Sequence, residues 1–108
     1  MKIVFKNHKK QKLFSSQDNL RAKFGPVMAK KIALVINSLR PMNSFAEVKG
    51  LYGKTHSLSQ DKTGCVAIHV SANYRLLVEP KIPEGVSQDS EFWSKVTEVY
   101  ILDCTDYH

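Results

Sequence analysis

The chain has 108 residues, 43% of them hydrophobic and 24% charged, enough to bury one core and too few for a second domain, so residues 1–108 read as one unit. No apolar run approaches the roughly 20 residues that cross a bilayer, and Met1–Lys12 mixes lysines with apolar residues where a secretory leader would be apolar, which predicts a cytoplasmic protein off the membrane. The net charge of +6 is uneven, with 12 Lys/Arg against Asp18 and Glu47 in residues 1–54 and 4 against 8 acids in residues 55–108; the basic half is either an electrostatic footprint for a polyanion such as nucleic acid or a solvated helical surface.

Lys2–Lys6 predicts a short strand, with Ile3 and Phe5 on one side and Val4 on the other. Lys9–Phe14 reads as a short helix, and Ser15, Ser16 and Asp18 offer N-caps for a second one reaching Phe24. Gly25-Pro26 is stronger punctuation, because proline is preorganised for a first helical turn and lacks the N–H that would go unpaired there. The helix starting at Pro26 carries an apolar stripe of Met28, Ile32, Val35, Ile36 and Leu39, with Lys30, Lys31 and Asn37 largely off it, and Pro41 ends it near Arg40. The following residues, with Gly50 and Gly53, read as a linker. Cys65–Val70 alternates with the period of a strand, Asn73-Tyr74 marks a turn, and Leu76–Val78 continues as a partner strand up to Pro80. After the loop 81–89, Ser90–Ser94 suits a helical turn and Thr97–Cys104 a last strand. Helices first and antiparallel strands afterwards predict an α+β domain with its helices packed on a sheet.

Cys65 and Cys104 lie inside apolar strand-like segments without a Cys-x-x-Cys spacing and read as free, packed thiols; His8, His56, His69 and His108 are too scattered for a metal motif, so neither metal nor other cofactor is expected. The chemistry gathers elsewhere. The run Val99–Leu102 can dock the closing Asp106-Tyr107-His108 into a sheet, Arg75 projects from the start of a central strand, and a loop or strand after His56 can return it to the same edge. These five residues contain what metal-free RNA cleavage by a 2′-hydroxyl requires: a base, a cation for the developing phosphorane charge, and an acid for the leaving oxygen. His and Asp supply base and acid in either order, Arg grips phosphate through parallel N–H groups, and Tyr stacks or donates. Each also has a structural reading, as packed histidines, a strand-edge ion pair and a rim aromatic. His69, which shares its strand face with Cys65 and Ala67, reads as structural, and Tyr74 as a turn anchor.

Asn19-Leu20-Arg21 through Phe24-Gly25, Ala29-Lys30-Lys31-Ile32 with Leu39-Arg40, His56-x-Leu58, Asn73-Tyr74-Arg75-Leu76 with Glu79-Pro80, Trp93–Thr97 and the closing Asp106-Tyr107-His108 follow one another in an order that resembles the RelE/HigB superfamily of toxins from type II toxin–antitoxin pairs, in particular its HigB-like plasmid maintenance killer branch. The resemblance covers nearly the whole chain. It implies a microbial-RNase-like α+β fold, two N-terminal helices on a small twisted, mainly antiparallel sheet, that cuts messenger RNA in the ribosomal A site. It also implies a HigA-like helix-turn-helix antitoxin as partner, and no homo-oligomer for the free toxin. By position His56 and His108 match the acid/base pair, Asp106 a base or orienting group, Arg75 the phosphate clamp and Tyr107 an RNA contact; Lys30, Lys31, Lys62 and Tyr74 would touch RNA. Ser59-Gln60 stands where many relatives carry Lys-Gly, which removes one cation from the site. Two further readings share the fold: a toxin-like module that binds ribosome or antitoxin without cleaving, and a ParE-like toxin directed at gyrase.

Overall fold

The computed structural model describes residues 1–56 and 64–106, with only the helical backbone of 53–56. The elements run β1 (Lys2–Val4), α1 (His8–Phe14), α2 (Gln17–Phe24), α3 (Pro26–Leu39), α4 (Phe45–His56), β2 (Val66–His69), β3 (Tyr74–Pro80), a 3-10 turn (Phe92–Lys95) and β4 (Glu98–Asp106). The strands form one open sheet in the order β1-β4-β3-β2. β1 lies parallel to β4, while β2–β3 and β3–β4 pair antiparallel. The fold is α+β, with four helices preceding the antiparallel part of a mixed sheet. Among the described residues no helix is long and apolar enough to cross a membrane.

Local chemistry sets the boundaries. Asn7 caps α1 by accepting from Lys10 N–H at 2.9 Å, and Ser16 caps α2 by accepting from Asn19 N–H at 3.2 Å. Gly25 separates α2 from α3 at φ 86° and ψ 163°, a backbone geometry essentially restricted to glycine, and Pro26 opens α3. The α-ammonium of Met1 donates to the carbonyls of Arg40 and Met42, placing positive charge at the C-terminal end of α3.

The segment through Gly50 and Gly53 is not a linker; it belongs to α4. Two interior glycines cost this helix about 1 kcal/mol each relative to alanine. Burial outweighs that cost, because Phe45 and Val48 are fully buried and each such side chain contributes roughly 1.5–3 kcal/mol. The helix start is fixed as well: the Glu47 carboxylate accepts the N–H of Asn43, and Phe45 N–H donates to Val96 O at 2.8 Å. Ser38 Oγ and Tyr52 Oη, 3.1 Å apart, tie α4 to α3.

The core joins Ile32, Ile36 and Leu39 of α3 and Phe45 and Val48 of α4 to Leu76 and Val78 of β3 and Val99 and Ile101 of β4. Cys65 and Ala67, of opposite parity to Val66 and Ile68, are buried too, so β2 is covered on both faces and His69 is its exposed residue. Both cysteines are buried, and no disulfide joins them.

Candidate functional site

The β2–β3 hairpin and the end of β4 meet at one end of the sheet. Register pairs His69 with Arg75, Arg75 with Thr105, and Tyr74 with Asp106. Arg75 therefore sits between two strands, and β4 runs two residues past Cys104 to carry Asp106 into the sheet beside Tyr74. Docking of the chain's end, expected from the Val99–Leu102 run, is realised up to Asp106.

Arg75 is half-buried, and its Nη1 donates to Ser71 O at 2.9 Å and to Tyr74 O at 3.0 Å. Tyr74 O also accepts the N–H groups of Val70 and Ser71, at 3.0 and 3.3 Å. The guanidinium is thus anchored to the carbonyls of its own hairpin, a geometry that holds a cation in place instead of leaving it on a free-swinging stem. Directly across the strand pair stands exposed His69, on the same face of the sheet as Arg75. The parity of His69 with Cys65 and Ala67 along its own strand does not reveal this pairing. The signal available in the sequence was the hairpin itself: a turn at Ser71–Asn73 makes His69 and Arg75 cross-strand neighbours.

The opposite face at this end holds Tyr74 and exposed Asp106. The Tyr74 ring meets Phe24, at the end of α2, edge-on with centroids 6.5 Å apart, and Lys23 Nζ lies 5.7 Å from the Phe24 centroid. A lysine, two aromatics and a carboxylate in sequence are groups that can hold phosphate, stack on a base and exchange a proton. Lys23 and Phe24 join the candidate site through this contact; helical spacing alone did not single them out.

His56 is the last residue of α4 by its backbone, and its side chain lies outside the described residues; Lys62, Tyr107 and His108 lie outside them entirely. Lys30 and Lys31 are exposed on α3. The structure therefore brings Arg75, Asp106 and Tyr74 to one end of the sheet and adds His69, Lys23 and Phe24 there. Cys104, two residues before Asp106, takes no part: burial, with the Asp103 charge adding to it, pushes its thiol up to about 11, so it stays protonated and unreactive at neutral pH. Among the described residues no group of three or more His, Cys, Asp or Glu could hold a metal ion.

Comparison of the chain with models of known protein families, with curated proteins and with solved structures gives no match. Functional inference accordingly rests on the residues and their placement.

Proposed function

We propose that the chain is a ribosome-dependent mRNA endonuclease, the toxin of a type II toxin–antitoxin pair restrained by a helix-turn-helix antitoxin. The observation that carries this reading is the anchored Arg75 at the sheet end, with His69 across from it and β4 carrying Asp106 to the same end of the sheet. The ordered resemblance to RelE/HigB toxins supplies the reaction.

In that reaction a base removes the proton of a 2′-hydroxyl, the 2′-oxygen forms a bond to the adjacent phosphorus, and the bond from phosphorus to the 5′-oxygen breaks as an acid protonates the leaving oxygen. The products are a 2′,3′-cyclic phosphate and a 5′-hydroxyl end. His56 and His108 act as the acid/base pair, with Asp106 as base or orienting group. Arg75 stabilises the charge that develops on the phosphoryl oxygens, and Tyr107 contacts the RNA. Charge stabilisation of this kind is worth about 10²–10³ in rate per donor. Tyr74, Phe24 and Lys23 give a neighbouring nucleotide a stacking surface and a cation.

The test is cleavage of a defined message on translating ribosomes, with 5′-end mapping. The wild type should create new ends bearing 5′-hydroxyls, and Arg75→Ala should reduce their yield about 100-fold or more. Association with ribosomes should weaken steeply between 50 and 200 mM salt, as released counterions require. An absence of new ends, or identical cleavage ladders from wild type, Arg75→Ala and His108→Ala, would reject the enzymatic reading. Growth arrest persisting without new ends would instead favour a toxin-fold module that binds without cutting.

A further inference from the structure

The geometry points to the outward face of α3 as a docking surface for an acidic, amphipathic helical segment of a partner protein. α3 already buries one complete stripe, Ala29, Ile32, Ile36 and Leu39, in the core. A surface helix needs no second apolar stripe on its wet side. Yet Val27 and Leu34 are 67% and 61% exposed, two of the four large exposed hydrophobic residues among those described. They stand seven positions apart, two turns or about 10 Å along the helix, and so project from one face. Lys30 and Lys31 lie between them on that face. Pro26, Val27, Lys30, Lys31 and Leu34 line a shallow depression of about 480 Å³.

The choice of occupant follows from this mixture. Neither lysine has an ion-pair partner among the described residues, unlike Lys2, Lys6, Lys10, Lys81 and Lys95; Lys9, Lys12, Lys23 and Lys49 lack one as well, so what sets this pair apart is the exposed Val27 and Leu34 beside it. An RNA backbone would answer the two charges but leave both aliphatic side chains against sugar and water, and no aromatic ring lines the depression for a base to stack on. A helix with apolar side chains at i, i+3 or i+4, and i+7, flanked by Glu or Asp, answers both at once: its stripe covers Val27 and Leu34, and its carboxylates reach Lys30 and Lys31. The lysine stems then add apolar surface while their ammonium groups stay at the rim. This inference concerns α3 alone and does not rest on the ribonuclease reading.

The full chain is titrated, by amide NMR, with a 20-residue helical peptide carrying a leucine stripe flanked by glutamates, with twins in which lysine replaces the glutamates or serine the leucines, and with a 12-nucleotide single-stranded RNA. The expected result is saturable binding of the leucine–glutamate peptide alone among the peptides, with shifts concentrated in residues 26–38. Leu34→Ser should weaken it at least tenfold, and Lys30→Glu with Lys31→Glu should abolish it and create binding to the lysine twin. All these positions are exposed, and matching thermal melts check that the variants fold. The proposal is overturned by a lack of saturable peptide binding, by shifts elsewhere on the surface, or by insensitivity to Leu34→Ser. It is equally overturned if only RNA moves these resonances, or if the face instead joins two copies of the chain, seen as self-association that Leu34→Ser removes. Message cleavage by Leu34→Ser at the wild-type level, beside lost peptide binding, keeps this test separate from that of the enzymatic reading.

Discussion

Replacing Gly64 by alanine should be among the most damaging single-methyl changes in this chain. Gly64 leads into β2 at φ 82°, where a side chain is strained by about 1–2 kcal/mol. Steric conflict comes in addition. A Cβ at this position would lie 2.4 Å from Trp93 Cη2 and 3.1 and 3.2 Å from Cζ2 and Cζ3 of the same ring. The indole cannot simply withdraw, since its centroid is 4.8 Å from that of Phe92 and 5.6 Å from that of Phe45, and Lys49 Nζ stands 4.8 Å from it. Overpacking against such a held ring costs about 1–3 kcal/mol, for a loss of about 2–5 kcal/mol in all. Trp93 is the sole tryptophan, so urea unfolding followed by its fluorescence reads both the stability and the displaced ring. Gly85→Ala is the control, because Gly85 has a similar φ of 76° but nothing within 4 Å of its would-be Cβ. It should lose only the strain, about 1–2 kcal/mol. If Gly64→Ala were no less stable than Gly85→Ala and kept the wild-type emission maximum, the reasoning that the Trp93 ring is held against Gly64 and cannot withdraw would be wrong.

Further expectations are more local. Ile101→Ala, at a fully buried position of β4, should cost about 2–5 kcal/mol in urea unfolding, whereas Lys2→Ala, which removes an exposed pair to Glu98 at 3.7 Å, should stay within about 0.5 kcal/mol. Cys104 holds its proton up to about 11 in the folded chain against an ordinary 9.0. The folded state therefore binds more protons than the unfolded one between these values: the contribution is whole below pH 9 and declines by about 1.4 kcal/mol per pH unit above it. Unfolding measured at pH 8, 9 and 10 should show this decline as a difference between wild type and Cys104→Ala. In the message-cleavage assay His69→Ala should reduce the yield of 5′-hydroxyl ends, but less than Arg75→Ala, because in the proposed reaction Arg75 bears the charge that stabilises phosphate while His69 stands beside it; equal yields from His69→Ala and wild type would remove His69 from the proposed site.

Elements were legible where one signal dominated locally. Pro26 and Pro41 bracket α3, Ser16 caps α2, and the alternation of Val66, Ile68 and Val70 announces β2. α4 is hidden by Gly50 and Gly53, which punctuate like a linker unless the residues before them are taken with them. Ser44-x-x-Glu47 is a capping-box pattern ahead of Val48, and Glu47 does reach back, to the N–H of Asn43 one residue earlier than the pattern expects. At the candidate site, Arg75 and Asp106 were legible as chemistry. The place of His69 beside Arg75 was not, because it is a matter of register across a hairpin, which parity along its own strand does not encode. The ring contact between Phe24 and Tyr74 joins residues fifty positions apart, which no local period encodes.

The least legible feature decides how the site is built. Register between β3 and β4 shifts between Leu77, opposite Asp103, and Val78, opposite Ile101, so that Leu102 is an extra residue in β4. Uniform alternation from Val99 and Ile101 would send Asp103 and Thr105 into the core and carry Cys104 and Asp106 to Arg75's face. The bulge reverses this. Cys104 turns inward beside Leu76 with 6% exposure, and Asp103 turns outward, where Lys10 Nζ meets it at 3.4 Å and its Oδ1 accepts the Cys104 N–H at 2.9 Å. Burying an unpaired carboxylate is far more costly than one irregular ladder position, which is why the strand yields. The same half-turn places Asp106 with Tyr74 and leaves Arg75 with His69 on the other face. An RNA strand engaging Arg75 and Asp106 together must therefore cross the rim of the sheet at the hairpin instead of lying along one face, and Lys23, Phe24 and Tyr74 stand on the side where it would continue.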